Sequence, residues 1–214
     1  MSLHYEDGEL RIIKVAHMGP YDNNGYILHC RATGEAVIVD APAEPEKLLG
    51  ELGDVKVKAI IITHRHGDHT AGLLELKNRT GALVAAHPDD APALPAPPDF
   101  QLKDGDTYQV GNIQLLARHT PGHTPGALCL LTGKHLFSGD TLFPGGPGRT
   151  ASPGAFRQVK DSIARKLMPL PDDTAVYPGH GLDTTIGKAR EEIRIFNSRS
   201  HPANLCGDVE WLKS

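Results

Sequence analysis

A chain of 214 residues, 39% hydrophobic and 22% charged, has the composition of an ordinary globular protein able to bury a sizeable core. A formal net charge of -4 with no run of Lys or Arg provides no field for phosphates, so nucleic acid is excluded as an expected partner. The charged opening MSLHYEDGEL and the lack of any apolar stretch of membrane-spanning length predict a cytoplasmic protein with no membrane partner.

In chain order, strands are expected over Leu10–Met18 and Tyr26–Cys30, then in the short apolar run EAVIVD that ends at Asp40. A short helix over Glu44–Leu52, a buried strand over Lys58–Thr63 and an amphipathic helix over Asp68–Arg79 follow; Ala71, Leu73, Leu74 and Leu76 supply the inner face of that helix. After the strand-like ALVAA, the prolines of HPDDAPALPAPPDF exclude regular structure and predict a stiff surface loop. Strands at Thr107–Val110, Ile113–Arg118, Ala127–Leu131 and His135–Phe137 precede a helix over Ala155–Met168. A strand at Ala175–Tyr177 and a helix over Thr184–Phe196 complete the pattern. The stretch GDTLFPGGPGRTASPG mixes apolar and basic residues with Gly and Pro and reads as an active-site loop. Strand-rich halves each followed by helices predict one domain over 1–214, with two packed sheets and helices outside.

Three of the twelve histidines and one aspartate fall within THRHGDH, residues 63–69. Alternate residues of an extended segment project to one side, so His64 and His66 can grip one ion, while Asp68 and His69, at the start of the next helix, point toward a second. His123 in HTPGHTPG, Asp140 in FSGDTLF and His180 in YPGHG each follow an expected strand and meet a glycine. Strand-end loops gather chemistry along one edge of a sheet, so all seven residues can converge. Seven imidazole and carboxylate donors exceed what one tetrahedral zinc accepts, and N/O donors suit zinc, iron or manganese. Cys30, Cys129 and Cys206 are too scattered for a disulfide framework or a thiolate knuckle; Cys30 and Cys129 lie in apolar runs and read as packing residues.

In order and spacing, THRHGDHTAG, TPGHTPG, FSGDTLF and PGH resemble the metallo-β-lactamase superfamily, most closely its glyoxalase II-like (hydroxyacylglutathione hydrolase-like) short members, over about residues 10–197. The resemblance implies an αββα sandwich, one metal on His64, His66 and His123, another on Asp68, His69 and His180, and Asp140 bridging both. Two divalent ions, zinc first with iron or manganese admitted, would make a metal-held hydroxide that attacks a thioester carbonyl while a thiolate leaves. Asp68 and Asp140 are the catalytic candidates of that scheme. Arg149 matches the position of the basic residue that glutathione-thioester hydrolases use for the substrate's peptide-like part, and its alternative is a solvated loop charge. Asp40 is either a turn-starting residue or an acceptor that orients a ligand histidine.

Two departures from the family bear on substrate. The stretch after His180 is too short for the full helical C-terminal domain of glutathione-specific members, and GHGLD carries no aromatic residue two positions after the histidine. A mononuclear iron persulfide dioxygenase using His64, His123 and Asp140, a lactonase, a β-lactamase disfavoured by Asp140, and a non-catalytic metal-binding module are the rival readings. His87 and His119 are read as supporting or solvated residues, and His4, His17, His29, His135 and His201 as surface or strand-edge residues. Trp211 and Leu212 are expected to dock on the body. A small acyl substrate and a monomer or homodimer are expected.

Overall fold

The computed structural model describes residues 3–214. One sheet holds β1 (Leu3–Asp7), β2 (Leu10–Met18), β3 (Asn23–Cys30), β4 (Glu35–Val39), β5 (Lys56–Ile61), β6 (Leu83–Ala86) and β7 (Phe100–Gln101), side by side in chain order. Pairing is antiparallel from β1 to β4 and parallel from β4 to β7. The other sheet runs β13 (Thr184–Thr185), β12 (Ala175–Pro178), β11 (His135–Gly139), β10 (Leu128–Thr132), β9 (Ile113–His119) and β8 (Thr107–Val110). Helices α1 (Pro45–Leu52) and α2 (Leu73–Thr80) cover the first sheet, and α3 (Pro153–Ser162) and α4 (Ile186–Asn197) the second.

β4 shows why the layers stack in this order. Its run AVIV is apolar at every position, which a strand tolerates only when both faces are covered. Val37 and Val39 pack between the sheets with Ile12, Leu28, Ile61, Leu130 and Phe137. Ala36 and Ile38 face the other way, toward Leu48 of α1 and Leu73 and Leu76 of α2. A third apolar layer under α3 and α4 is built from Leu136, Val159, Ile163, Phe196 and Trp211. The architecture is the expected αββα sandwich.

Where the elements differ from expectation, local chemistry accounts for it. Helix 68–79 is divided: Gly67–His69 forms a single 3₁₀ turn, and α2 starts only at Leu73. With the start displaced, Leu73 and Leu76 point inward while Ala71 and Leu74 are exposed, so two of the four residues assigned to its inner face do not belong there. The helix expected over 155–168 ends in a π-helical turn, Ile163–Leu167. The proline-rich stretch contains a 3₁₀ turn at Ala91–Ala93 and the two-residue β7, and β1 was not foreseen. His135 is buried at 8% exposure, its Nδ1 2.8 Å from Tyr177 Oη, which corrects its surface reading. Trp211 docks fully, whereas Leu212 stays 46% exposed. Cys30 and Cys129 are both buried.

Backbone bonds tie the two sheets at one edge: Leu128 N–H donates to Thr63 O at 2.8 Å and Asn24 N–H to Gly179 O at 2.7 Å. Phe137, at 0% exposure between the sheets, meets Tyr26 edge-to-face at 5.2 Å. Phe137→Ala should cost about 3–5 kcal/mol and lower the unfolding midpoint by roughly 6–20 °C. Leu74→Ala should stay within about 0.5 kcal/mol in the same calorimetric comparison.

Candidate metal centre

The edge where the sheets are tied collects the loops that follow β5, β9, β11 and β12, and all seven sequence candidates meet there. His64 Nε2 lies 3.1 Å from His66 Nδ1, which lies 2.9 Å from His123 Nε2. In a second triad, His69 Nε2 is 3.1 Å from His180 Nε2 and 3.5 Å from Asp68 Oδ2, and His180 Nε2 is 3.3 Å from Asp68 Oδ2. The Asp140 carboxylate sits between them, Oδ2 3.5 Å from both His123 and His180 and 3.9 Å from His64, and Oδ1 3.4 Å from His69.

In four of these histidines the other ring nitrogen is already committed as donor, so as neutral rings they offer a lone pair to the centre. His123 Nδ1 donates to Arg149 O and His180 Nδ1 to Tyr21 O, each at 2.8 Å, and a carbonyl can only accept. His69 Nδ1 donates to Asp40 Oδ2 at 2.8 Å. His64 Nδ1 donates to Thr63 Oγ1 at 3.1 Å, since that hydroxyl spends its own proton on Asp40 Oδ2. In their neutral form these four rings turn their Nε2 lone pairs toward the centre, where a proton or a metal cation must lie between them. A tetrahedral zinc with its usual bond lengths separates ligand atoms by about 3.3 Å, close to the spacings found here. Among the described residues Asp140 Oδ1 is buried with no hydrogen-bond partner, a second sign that the centre is completed by a cation. The donor set fits two divalent ions.

Electrostatics point the same way. Burial, reinforced by His69, holds His64 well below the ordinary histidine range, so the ring is neutral at pH 7. Burial would also lower His180, but hydrogen bonds with Asp140 and Asp68 outweigh it and push it up to about 10. Asp140 is kept well below the carboxylate range by His69 and His180 despite its burial. A cation replaces the protons that this geometry otherwise draws in.

Asp40 stands at a turn and also accepts from a candidate ligand histidine. It follows β4 directly with φ 61°, and its side chain accepts from Thr63 N–H at 2.7 Å, Thr63 Oγ1 at 2.8 Å and His69. Three supporting residues were not anticipated. Thr63 relays His64 to Asp40. Asn23 Nδ2 donates to Asp68 Oδ2 at 2.9 Å. Asp90 binds Arg65 N–H at 3.0 Å, Thr124 Oγ1 at 2.6 Å and Gly126 N–H at 2.9 Å, and so fastens the His64–His66 loop to the His123 loop. The only sequence signal was an aspartate pair just after the strand-like ALVAA. Gly179 admits no side chain, since a β-carbon would lie 2.4 Å from both Asp140 Oδ1 and His69 Cε1. Arg149 reaches the cleft beside the centre, its Nε 3.5 Å from Asp208 Oδ2. His87 and His119 stack on each other at 3.8 Å outside the two triads.

The sequence profile of the metallo-beta-lactamase superfamily matches residues 18–180, and this chain belongs to that superfamily. A hydroxyacylglutathione hydrolase of Rhodopseudomonas palustris is 40% identical over 163 residues, which cover 74% of this chain and 62% of that protein. The match thus spans about three-fifths of that relative's length. Among solved structures, the BLEG-1 B3 metallo-beta-lactamase superposes with TM-score 0.78 at 30% identity, covering 84% of this chain and 96% of that one. TTHA1623, solved in a di-iron-bound form, gives 0.72 at 33% identity over 83% and 96% of the two chains.

Asp40→Ala should weaken metal retention by about 10–100-fold, as loss of a carboxylate behind a ligand histidine does. Competition with a chromogenic chelator measures it, with the circular dichroism spectrum confirming that the fold persists.

Proposed function

We propose that the chain is a dinuclear metal-dependent thioester hydrolase of the hydroxyacylglutathione hydrolase type. The observation that carries the reading is the pair of donor triads sharing one carboxylate, supported by the similarity to hydroxyacylglutathione hydrolases. His64, His66 and His123 would hold one ion, Asp68, His69 and His180 the other, and Asp140 both. Two such ions supply Lewis acidity toward a carbonyl and a water that ionises near neutral pH. Zinc suits these N/O donors, and iron or manganese also fits them.

The chain's own residues set the stage for that chemistry. Asp40, through His69 and the Thr63 hydroxyl, fixes the tautomers that turn Nε2 inward. Asn23 holds the Asp68 carboxylate against rotation. Asp68 and Asp140 would place negative charge beside the two ions and leave a bound centre with a small net positive charge, suited to a polarised carbonyl. Arg149 stands at the rim for an anionic part of the substrate. A thiolate leaves without help from a strong acid, and the site needs none.

Protein carrying about two metal equivalents should hydrolyse S-lactoylglutathione, and Asp140→Ala should reduce kcat/KM on the order of a thousandfold. One iron per chain with oxygen uptake on a persulfide would replace this reading with the dioxygenase. Faster turnover of a lactone or lactam than of any thioester would replace it with those hydrolases.

A further inference from the structure

Beside the centre a cleft opens with His123, Asp140 and His180 at its inner end, the glycine-rich loop 143–149 on one side and residues 208–210 on the other. The second wall is fixed by backbone rather than by side chains. Thr150 and Gly207 exchange N–H to O bonds of 3.1 and 2.9 Å, and Trp211 N–H donates to Gly145 O at 2.7 Å. The two walls touch so closely that a β-carbon on Gly146 would stand 2.3 Å from Val209 O. Along this pinned stretch the side chains alternate. Val209 and Trp211 are buried at 3% and 0%, which leaves Asp208 and Glu210 exposed along the cleft.

The charges on these walls do not suit a simple anion. Among the described residues Arg149 is the only Lys or Arg of the lining, and the carboxylates of Asp208 and Glu210 stand across from it. Glu210 lies 2.6 Å from Lys213 in an exposed pair within its own turn, whereas Asp208 faces Arg149 across the cleft. Asp208 lies 3.5 Å from Arg149 Nε, with the two side chains 81% and 74% exposed. So exposed a pair is weakly held and opens readily to a ligand that offers each partner a new counter-charge. A purely anionic ligand would satisfy Arg149 and be repelled by Asp208. A group carrying both an ammonium and a carboxylate satisfies both.

We propose that Asp208 is a specificity-determining residue. The outer cleft recognises a zwitterionic, amino-acid-like head group on the thiol portion of the substrate, Arg149 taking its carboxylate and Asp208 its ammonium. The assignment rests on the thioester-hydrolase reading, which supplies the thiol.

The test is calorimetric binding to the metal-loaded protein of S-methylglutathione, a thioether that cannot be hydrolysed, against the same compound with its amine acetylated. The free-amine ligand should bind about tenfold more tightly. Asp208→Asn should bring the ratio to about one, and Asp208→Glu should restore most of the preference. Equal affinities in the native protein, or an Asp208→Asn variant that weakens both ligands alike, would overturn the proposal. A preserved preference in a protein that hydrolyses no thioester would sustain head-group recognition while ending the hydrolase reading.

Discussion

Five imidazoles and two carboxylates aimed at one another form an arrangement that a protein interior rejects unless something positive stands among them. That repulsion is the constraint on which the rest of the molecule depends. Four of the rings have their outward nitrogen tied to a fixed acceptor, so they cannot turn away to relieve it. Asp40 is the hub of this restraint: it reaches two of the rings, one directly and one through a hydroxyl, and holds the strand end that carries them. Its φ of 61° is an uncommon conformation for a non-glycine residue, maintained by three accepted hydrogen bonds.

The sandwich makes that restraint possible. β4 and β5 run parallel in one sheet, β11 and β12 in the other, and their C-terminal ends open on the same edge. Apolar layers on both faces of each sheet hold the strands rigid up to that edge, and the cross-sheet backbone bonds at Thr63 and Gly179 stop the two halves from sliding apart. The irregular backbone needed to aim the donors begins only where regular pairing ends, so rigidity and precise aim are supplied by neighbouring residues.

How much of this was visible in the sequence depended on distance along the chain. THRHGDH declares itself because four donors crowd one loop, and His123, Asp140 and His180 repeat a strand-then-glycine context. Asn23 carries no such sign and Asp90 only its place in an aspartate pair, because each acts on a partner dozens of residues away, Asn23 on Asp68 and Asp90 on Thr124. The misassigned face of α2 has the same origin as the site: Asp68 and His69 occupy a tight turn of their own, so the helical period cannot run through them to Ala71 and Leu74. β1 and β7 escaped notice because one is short and partly charged and the other has two residues beside a run of prolines. The acidic wall at Asp208 and Glu210 depends on which way a pinned segment faces, and composition cannot reveal that.

The bonds between Thr150 and Gly207 and between Gly145 and Trp211 involve main-chain atoms only. The outer face of that wall can therefore change its side chains freely while its path stays fixed. The candidate metal ligands thus lie on stretches intolerant of change, and Asp208 and Glu210 on one that is permissive. Exchanges at positions 208 and 210 would redraw the charge of the cleft wall without disturbing the backbone that holds it beside the centre.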